Sequence, residues 1–559
     1  MKKNIFFTIT ILLLTCASVS FGALREAGKN WTMTYKGPAH NEDIPVAIAS
    51  DKDGNTIVLA SSGGDKTGID YAIIKYDPSG QQLWASRYNG ENNGDDTPIS
   101  LALDDEGNCY VTGTSANTNG LDILTIKYSA SGNQLWFERY DGVGKNDDLA
   151  HSIVVTQSGN VVIGGSSISK DGQFDFLIVS YNSAGKELWS KNYDGGFKES
   201  DMITGIGFDD QDNIVVTGTS QDNEGKTACA TIKYTIDGKQ LWVDRSTDGN
   251  AVNTTPCGIV IDKSGNAIVA GYCSYEEQDR YYIRKISKDG NVLWNNSFGE
   301  SVINLPVGIK SDDFGNLYVV GASNSSGSEA SATIYSFNTK GIARWQKFYE
   351  RLEPQSFVID ATGGVYVTGR ANPITSINNG EVNVDMEHAV STVRFTRSGD
   401  LALVVKADRS INFEPRVITV DQNANVIVGG AEINTEGIGD VAVTKYSSGV
   451  LMDQEKSLPT EFKLNQNYPN PFNPVTTISF SLPEPSIVTL TITNTLGQEV
   501  FSLANHTQFG DGFHELTFDA STLSSGVYFY RIDAQSLTNN EGNSLGKSFT
   551  DVKKMLLMK

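Results

Sequence analysis

All seven tryptophans of this 559-residue chain stand on one ruler: Trp31, Trp84, Trp136, Trp189, Trp242, Trp294 and Trp345, at intervals of 51 to 53 residues. A constant interval near fifty means one supersecondary unit copied end to end. A unit too small to bury its apolar face alone must bury it against its copies. The chain is thereby confined to array architectures, in which chemistry belongs to loops rather than to the scaffold.

The rest of the unit keeps the same interval. A turn reading Asp-x-x-Gly-Asn precedes a short apolar run at Asp51 to Asn55, Asp104 to Asn108, Asp262 to Asn266 and Asp312 to Asn316. Variants stand at Thr156 to Asn160, Asp209 to Asn213, Asp360 to Gly364 and Asp421 to Asn425. A second run ends at Tyr76, Tyr128, Tyr181, Tyr234, Ile286, Phe337, Phe395 and Tyr446. Eight copies are expected, the seventh degenerate because Leu403 stands where Trp is due.

Segments such as Asn108-Cys-Tyr-Val-Thr-Gly113 and Ile123-Leu-Thr-Ile-Lys-Tyr128 are short, β-branched and aromatic, and bounded by Gly, Asn and Asp. They read as strands, four to a unit. No stretch holds a 3.6-residue apolar period, so the chain is expected to be all-β. Four-stranded units repeated radially solve the exposed-edge problem as a β-propeller does. The repeat motif resembles the bacterial SBBP propeller repeats over residues 30 to 450, which implies the fold and is nearly silent on activity. Trp31 opens the series without partner strands, and no Trp strand follows Tyr446. The economical arrangement is an eight-bladed ring in which residues 30 to 36 supply the outer strand of the last blade.

The ends of the chain read as addresses. Lys2 and Lys3 precede an apolar run from Ile5 to Ala17, and Ser20-Phe-Gly22 offers a small-residue cleavage site. Residues 1–22 thus read as a signal peptide, the propeller as 23–449, and no transmembrane segment is expected. Leu13-Leu-Thr-Cys16 resembles a lipoprotein box, with Thr15 ill suited before a lipidated Cys. From Leu464 the text changes, through Asn465-Gln-Asn-Tyr-Pro-Asn-Pro-Phe-Asn-Pro474 and Ser525-Gly-Val-Tyr-Phe-Tyr-Arg531 to Lys553-Lys-Met-Leu-Leu-Met-Lys559. The strand spacing predicts a small β-sandwich over 463–559 after a linker at 450–462. This segment closely resembles the type A C-terminal sorting domain of the type IX secretion system. The resemblance implies that secretion machinery as a partner, passage through the periplasm, and release or attachment at the outer surface.

A formal net charge of −22 argues against nucleic acid and anionic lipid as partners. Metalloprotease, hydrolase-elbow and zinc-ribbon motifs are missing, and the five histidines, at 40, 151, 388, 506 and 514, are scattered. No catalytic residue or cofactor-binding motif is assigned. The seven tryptophans are expected to lie structurally between blades, as in the quinoprotein docking motif that Asp77 to Trp84 resembles. Asp289 to Trp294 misses the sialidase Asp-box spacing.

One polar constellation remains. Asp43, Asp96, Asp148 and Asp201 stand eight residues before the turn in the first four units, in the loop entering each innermost strand. Either each accepts hydrogen bonds from its own loop, or the four form an acidic rim for calcium or a cationic ligand. Variable polar loops, Ser61 to Gly68, Gln221 to Lys226 and Ala371 to Glu387, are expected on the same rim, where binding would be placed. Cys257 and Cys273 flank a hairpin centred on Gly265, and a disulfide across it is expected, with Cys109 and Cys229 left as thiols. The sequence therefore points to an exported, non-catalytic propeller that recognises an unknown surface protein or glycan, or serves as structure. The alternative is a secreted enzyme acting on glycans or another polymer through the loop face.

Overall fold

The computed structural model describes residues 25–447 apart from 40, 91, 143–145, 197–198, 223, 248–250, 276–278, 300–302, 325–330, 372–373, 379–380, 386–389 and 407–411. It also describes residues 459–558 apart from 460 and 538–546. The signal segment 1–22 and most of the linker 450–462 lie outside the described residues. The described strands fall into two compact units, one built from Arg25 onward and one from the chain beyond Leu458.

In the first unit each repeat folds as a four-stranded antiparallel meander. The first sheet runs Asp43–Ser50, Thr56–Gly63, Ile69–Tyr76 and Gln82–Tyr88. The pattern recurs through the sheet ending in Ala343–Tyr349, giving an all-β, propeller-like array. The second and third strands are buried along almost their whole length because neighbouring sheets cover both faces. They read accordingly as continuous apolar runs such as Thr56-Ile-Val-Leu-Ala60.

The turn motif has a direct cause. One carboxylate oxygen of Asp51 accepts the backbone N–H of Asp53 at 3.0 Å and of Asn55 at 2.9 Å, and the other accepts the Asn55 amide at 2.8 Å. Gly54 sits at φ 78°, where a Cβ is strained. Lys75 of the third strand closes the same carboxylate at 2.9 Å, with both side chains 4% exposed. The pair recurs as Lys233–Asp209 and Lys445–Asp421 at 2.8 and 2.7 Å. In the third repeat both partners are replaced together, by Thr156 and Ser180.

Adjacent sheets dock through the tryptophans. Indole N–H groups of Trp31, Trp84, Trp136, Trp189, Trp242 and Trp345 donate to carbonyls of the next sheet's outer turn, at Pro78, Ala130, Ser183, Ile236, Lys288 and Arg397. Each ring lies over a glycine of that turn, and Trp294 does the same at Gly341. A Cβ on Gly132 would stand 2.6 Å from Trp84, and Gly132 also holds φ 88°.

Two features refine the expected arrangement at the chain start. Gly28–Tyr35 pairs antiparallel with Gly439–Ser447, so the first Trp strand completes the sheet of Asn412–Val420 and Val426–Ile433. Just before it, Arg25 and Glu26 pair parallel with Leu403 and Val404. That extra pair adds a fifth strand to the seventh sheet, beside the outer strand that carries Leu403 instead of Trp.

The second unit sets Lys463–Leu464, Val475–Leu482 and Gly512–Asp519 in one sheet. Glu499–Phe509, Ser486–Thr493, Gly526–Ser536 and Ser548–Leu557 form another. Ser486–Thr493 alternates buried and half-buried, as a one-faced strand must. The two sheets share one core containing Ile478, Phe480, Leu490, Ile492, Tyr530, Ile532 and Met555. Tyr530 donates its hydroxyl to the Asn465 carbonyl at 2.7 Å, fastening the motif-bearing start of the unit to its centre.

Candidate functional site

The four rim aspartates are the first residues of successive innermost strands, each only 1% exposed. Asp43 accepts the Ser62 hydroxyl and the Gly37 N–H at 2.5 Å, and Asp96 accepts Ser115 and Gly90 N–H at 2.5 Å. Asp148 and Asp201 accept the N–H of Gly142 and Gly195, each at 2.6 Å. Each carboxylate therefore ties the incoming loop to its own sheet. Burial pushes all four pKa values up, against the hydrogen bonds from Ser62, Ser115, Ser167 and Ser220 and from the glycines. A Cβ on Gly37 would stand 2.6 Å from Asp43, which is why that donor is glycine.

Among the described residues, no close carboxylate group brings two of these four together. Asp148 instead lies with Asp122 and Asp141, and Asp201 with Asp175 and Asp194, ligand atoms within 4.8 Å of one another. These groups join the third strand and outer loop of one repeat to the innermost strand of the next. In the second repeat Arg139 neutralises Asp122 at 3.2 Å, as Arg87 does Asp70 at 2.7 Å in the first. The third repeat carries Asn192 at that register. Burial, then Asp194, Asp201 and Asp171, raise the Asp175 carboxyl to about 6. Three carboxylates of this kind could hold a proton or present oxygens to a cation. The signals for the latch are visible in the sequence as a Gly six residues before each Asp and a Ser nineteen after it. Asp175 is marked by the lost arginine.

The expected disulfide is also corrected. A bulge between Pro256 and Gly258 leaves Cys257 without a cross-strand partner, while Cys273 faces Thr254, whose hydroxyl lies 3.7 Å from its sulfur. Both remain thiols, as do Cys109 and Cys229. The extra residue in the inner strand shifts the register that the hairpin midpoint implied. His151 meets Ser166 at 3.2 Å, with its pKa lowered by burial, while His40 and His388 lie outside the described residues. Of the longest variable loop, Ala371 ends the strand from Val365, Ile374–Asn378 and Glu381–Asp385 form a hairpin, and the remainder lies outside the described residues. Five inner strands surround a cavity of about 320 Å³, whose lining includes Ser152, Cys257, Lys310, Gln355 and Phe357. Among the described residues no helix is long and apolar enough to cross a membrane.

Comparison with known proteins identifies one end of the chain. Residues 466–541 match the secretion system C-terminal sorting domain, which implies secretion through the type IX system and engagement of its machinery. An uncharacterized WD repeat-containing protein of Acanthamoeba polyphaga mimivirus is 24% identical over 329 residues, 46% of this chain. The chain spans only 23% of that relative's length. Similar solved structures include Sqt1 from Chaetomium thermophilum (TM-score 0.45, 10% identity, 75% of this chain and 98% of that one). A puromycin hydrolase mutant scores 0.41 at 11% identity, over 70% and 58% of the two chains. A PL25 ulvan lyase scores 0.40 at 11%, over 68% and 98%. The sorting-domain match covers residues 466–541 alone, and it is this end of the chain that implies export through the type IX system.

Proposed function

We propose that the chain is an exported eight-bladed propeller acting at or beyond the outer surface as a non-catalytic recognition or structural module for a surface protein or glycan. In this reading residues 1–22 are a signal peptide, 23–449 the propeller, 450–462 the linker and 463–559 the sorting domain. The observation that carries it is the sorting-domain match at 466–541. Eight blades and ring closure are supported by the pairing of Gly28–Tyr35 with the last repeat and by the Trp31 contact to Pro78 of the first. A non-catalytic rim is supported by the rim aspartates, whose carboxylates are engaged within their own sheets. The test is delivery: a chain ending at Gly449 should be retained inside the native host, and its arrival at the surface or in the medium would refute the sorting role.

One observation favours the enzyme alternative. Asp175, with its carboxyl raised to about 6 beside Asp194 and Asp201, has the character of a general acid. Turnover of any polysaccharide or protein polymer, abolished in Asp175→Asn, would establish that reading over the first.

A further inference from the structure

Lys310 breaks the rule of the repeat. It pairs with Tyr318, one residue before the inner strand ends at Ser311. The same register holds Ala49, Ala102, Val154, Gly207, Val260, Val358 and Thr419 in the other inner strands. Every one of these is uncharged, and most pack against the adjoining sheet. Lys310 instead carries its ammonium 5.4 Å from the ring centre of Phe357 in the next sheet. Among the described residues no carboxylate or carbonyl accepts from it, unlike Lys75, Lys233 and Lys445. Burial lowers its pKa, and no neighbouring anion raises it back. The side chain is nonetheless exposed to solvent, because it lines the cavity of about 320 Å³ among the inner strands.

The cavity lining follows one register of the repeat. Gly205, Gly258 and Gly308 occupy one register in three successive inner strands, with Ser152 and Ser356 at that register on either side. All five residues line the space beside the lysine, together with Gln355. A lone ammonium, a hydroxyl and an amide around such a space make an anion site. One unpaired positive charge matches one negative charge, and nothing else in the lining supplies a second cation for a dianion.

We propose that this cavity binds a monoanionic, carboxylate-bearing small molecule of about monosaccharide size. Its carboxylate would face the Lys310 ammonium, with Ser356 and Gln355 as neutral hydrogen-bonding groups. The proposal rests on the recognition reading and gives it a ligand class. The experiment is acetylation of the purified full chain by limiting acetic anhydride, with Lys310 occupancy read by mass spectrometry. D-glucuronate, D-glucose and sulfate are titrated in turn at matched ionic strength. Glucuronate is expected to slow Lys310 acetylation at least fivefold, saturably and relative to the other lysines, while glucose and sulfate do not. By calorimetry, Lys310→Met should lose glucuronate binding and Lys310→Arg should keep it; the labelling of unaltered chain stands even where the Met variant fails to fold. No selective protection, or protection by sulfate in place of glucuronate, overturns the proposal. Either result leaves the export test on the shortened chain unaffected.

Discussion

Replacing Lys233 by Met keeps the apolar stem and removes an ammonium that lies 2.8 Å from Asp209, with the two side chains 2% and 5% exposed. The ammonium also approaches the carbonyls of Gly265 and Lys288 at 3.5 and 3.4 Å, so the change strips a junction to the next sheet as well. Breaking a buried ion pair by deleting one partner costs about 3–5 kcal/mol, because the other charge stays buried. Asp209 would still accept from Gln211 N–H, Asn213 N–H and the Asn213 amide, all at 2.9 Å, which puts the expected loss near the lower figure, about 3 kcal/mol. The third repeat shows the neutral solution, Thr156 with Ser180, so Asp209→Thr with Lys233→Ser should cost less than Lys233→Met alone. The coupling between the two sites should be at least about 2 kcal/mol. Guanidinium unfolding followed by tryptophan fluorescence measures this cleanly, since every Trp lies in the repeats and none in the C-terminal unit. The pH dependence has a definite sign. Burial pushes the Asp209 carboxyl up, but the hydrogen bonds from Lys233 and Asn213 outweigh it and hold the carboxyl below its ordinary value. Its contribution is therefore present above the unfolded value near about 3.9 and is lost as pH falls through the folded one. Wild type and variant should converge in strong acid. A single variant within about 1 kcal/mol of wild type, or a double variant as costly as the sum of its parts, would refute the reasoning.

Three further outcomes are expected. Gly90→Ala places a Cβ 3.0 Å from Asp96 and should lower stability by about 1–2 kcal/mol in thermal unfolding, whereas Gly196→Ser, with no atom within 4 Å, meets only backbone strain. Asp175→Asn should stabilise the protein at pH 7 by about 1 kcal/mol after allowance for solvent screening, because the raised carboxyl is disfavoured as an anion there. The gain should vanish as pH falls from about 6 towards 4, where the native aspartate takes up its proton; a variant no more stable at pH 7 than wild type contradicts it. Deleting residues 23–37 removes the strand that pairs with Gly439–Ser447 and the Trp31 contact, and should lower the stability by several kcal/mol, read as a drop in the fluorescence-detected midpoint. An unchanged midpoint would rule out closure of the array by that strand.

The repeat, the four-stranded unit and the strand exchange at the chain start were legible because each is written in periodic residues. Trp must reach a glycine-bearing turn one copy away, and Asp-x-x-Gly-Asn closes its own turn by local hydrogen bonds, so neither depends on the distant fold. The sorting domain was legible for the same reason, in the Asn465 to Pro474 text and its alternating strands. The site was legible only in part. The sequence marked Asp43, Asp96, Asp148 and Asp201 as special, but their burial depends on Gly and Ser residues brought in from six and nineteen positions away. The bridge between Cys257 and Cys273 failed because one bulged residue, invisible to a count from the turn, displaces the register. Lys310 needed the tertiary structure altogether, and Asp175 was marked in the sequence only by the lost arginine. Their character comes from what is missing around them, an arginine at Asn192 for Asp175 and, among the described residues, an acceptor for Lys310. Sequence alone thus determined what each copy of the unit does for itself and its neighbour. Only the folded array decided which copies depart from the rule at a place where several sheets meet, because the charge and space there are summed over strands far apart in the chain.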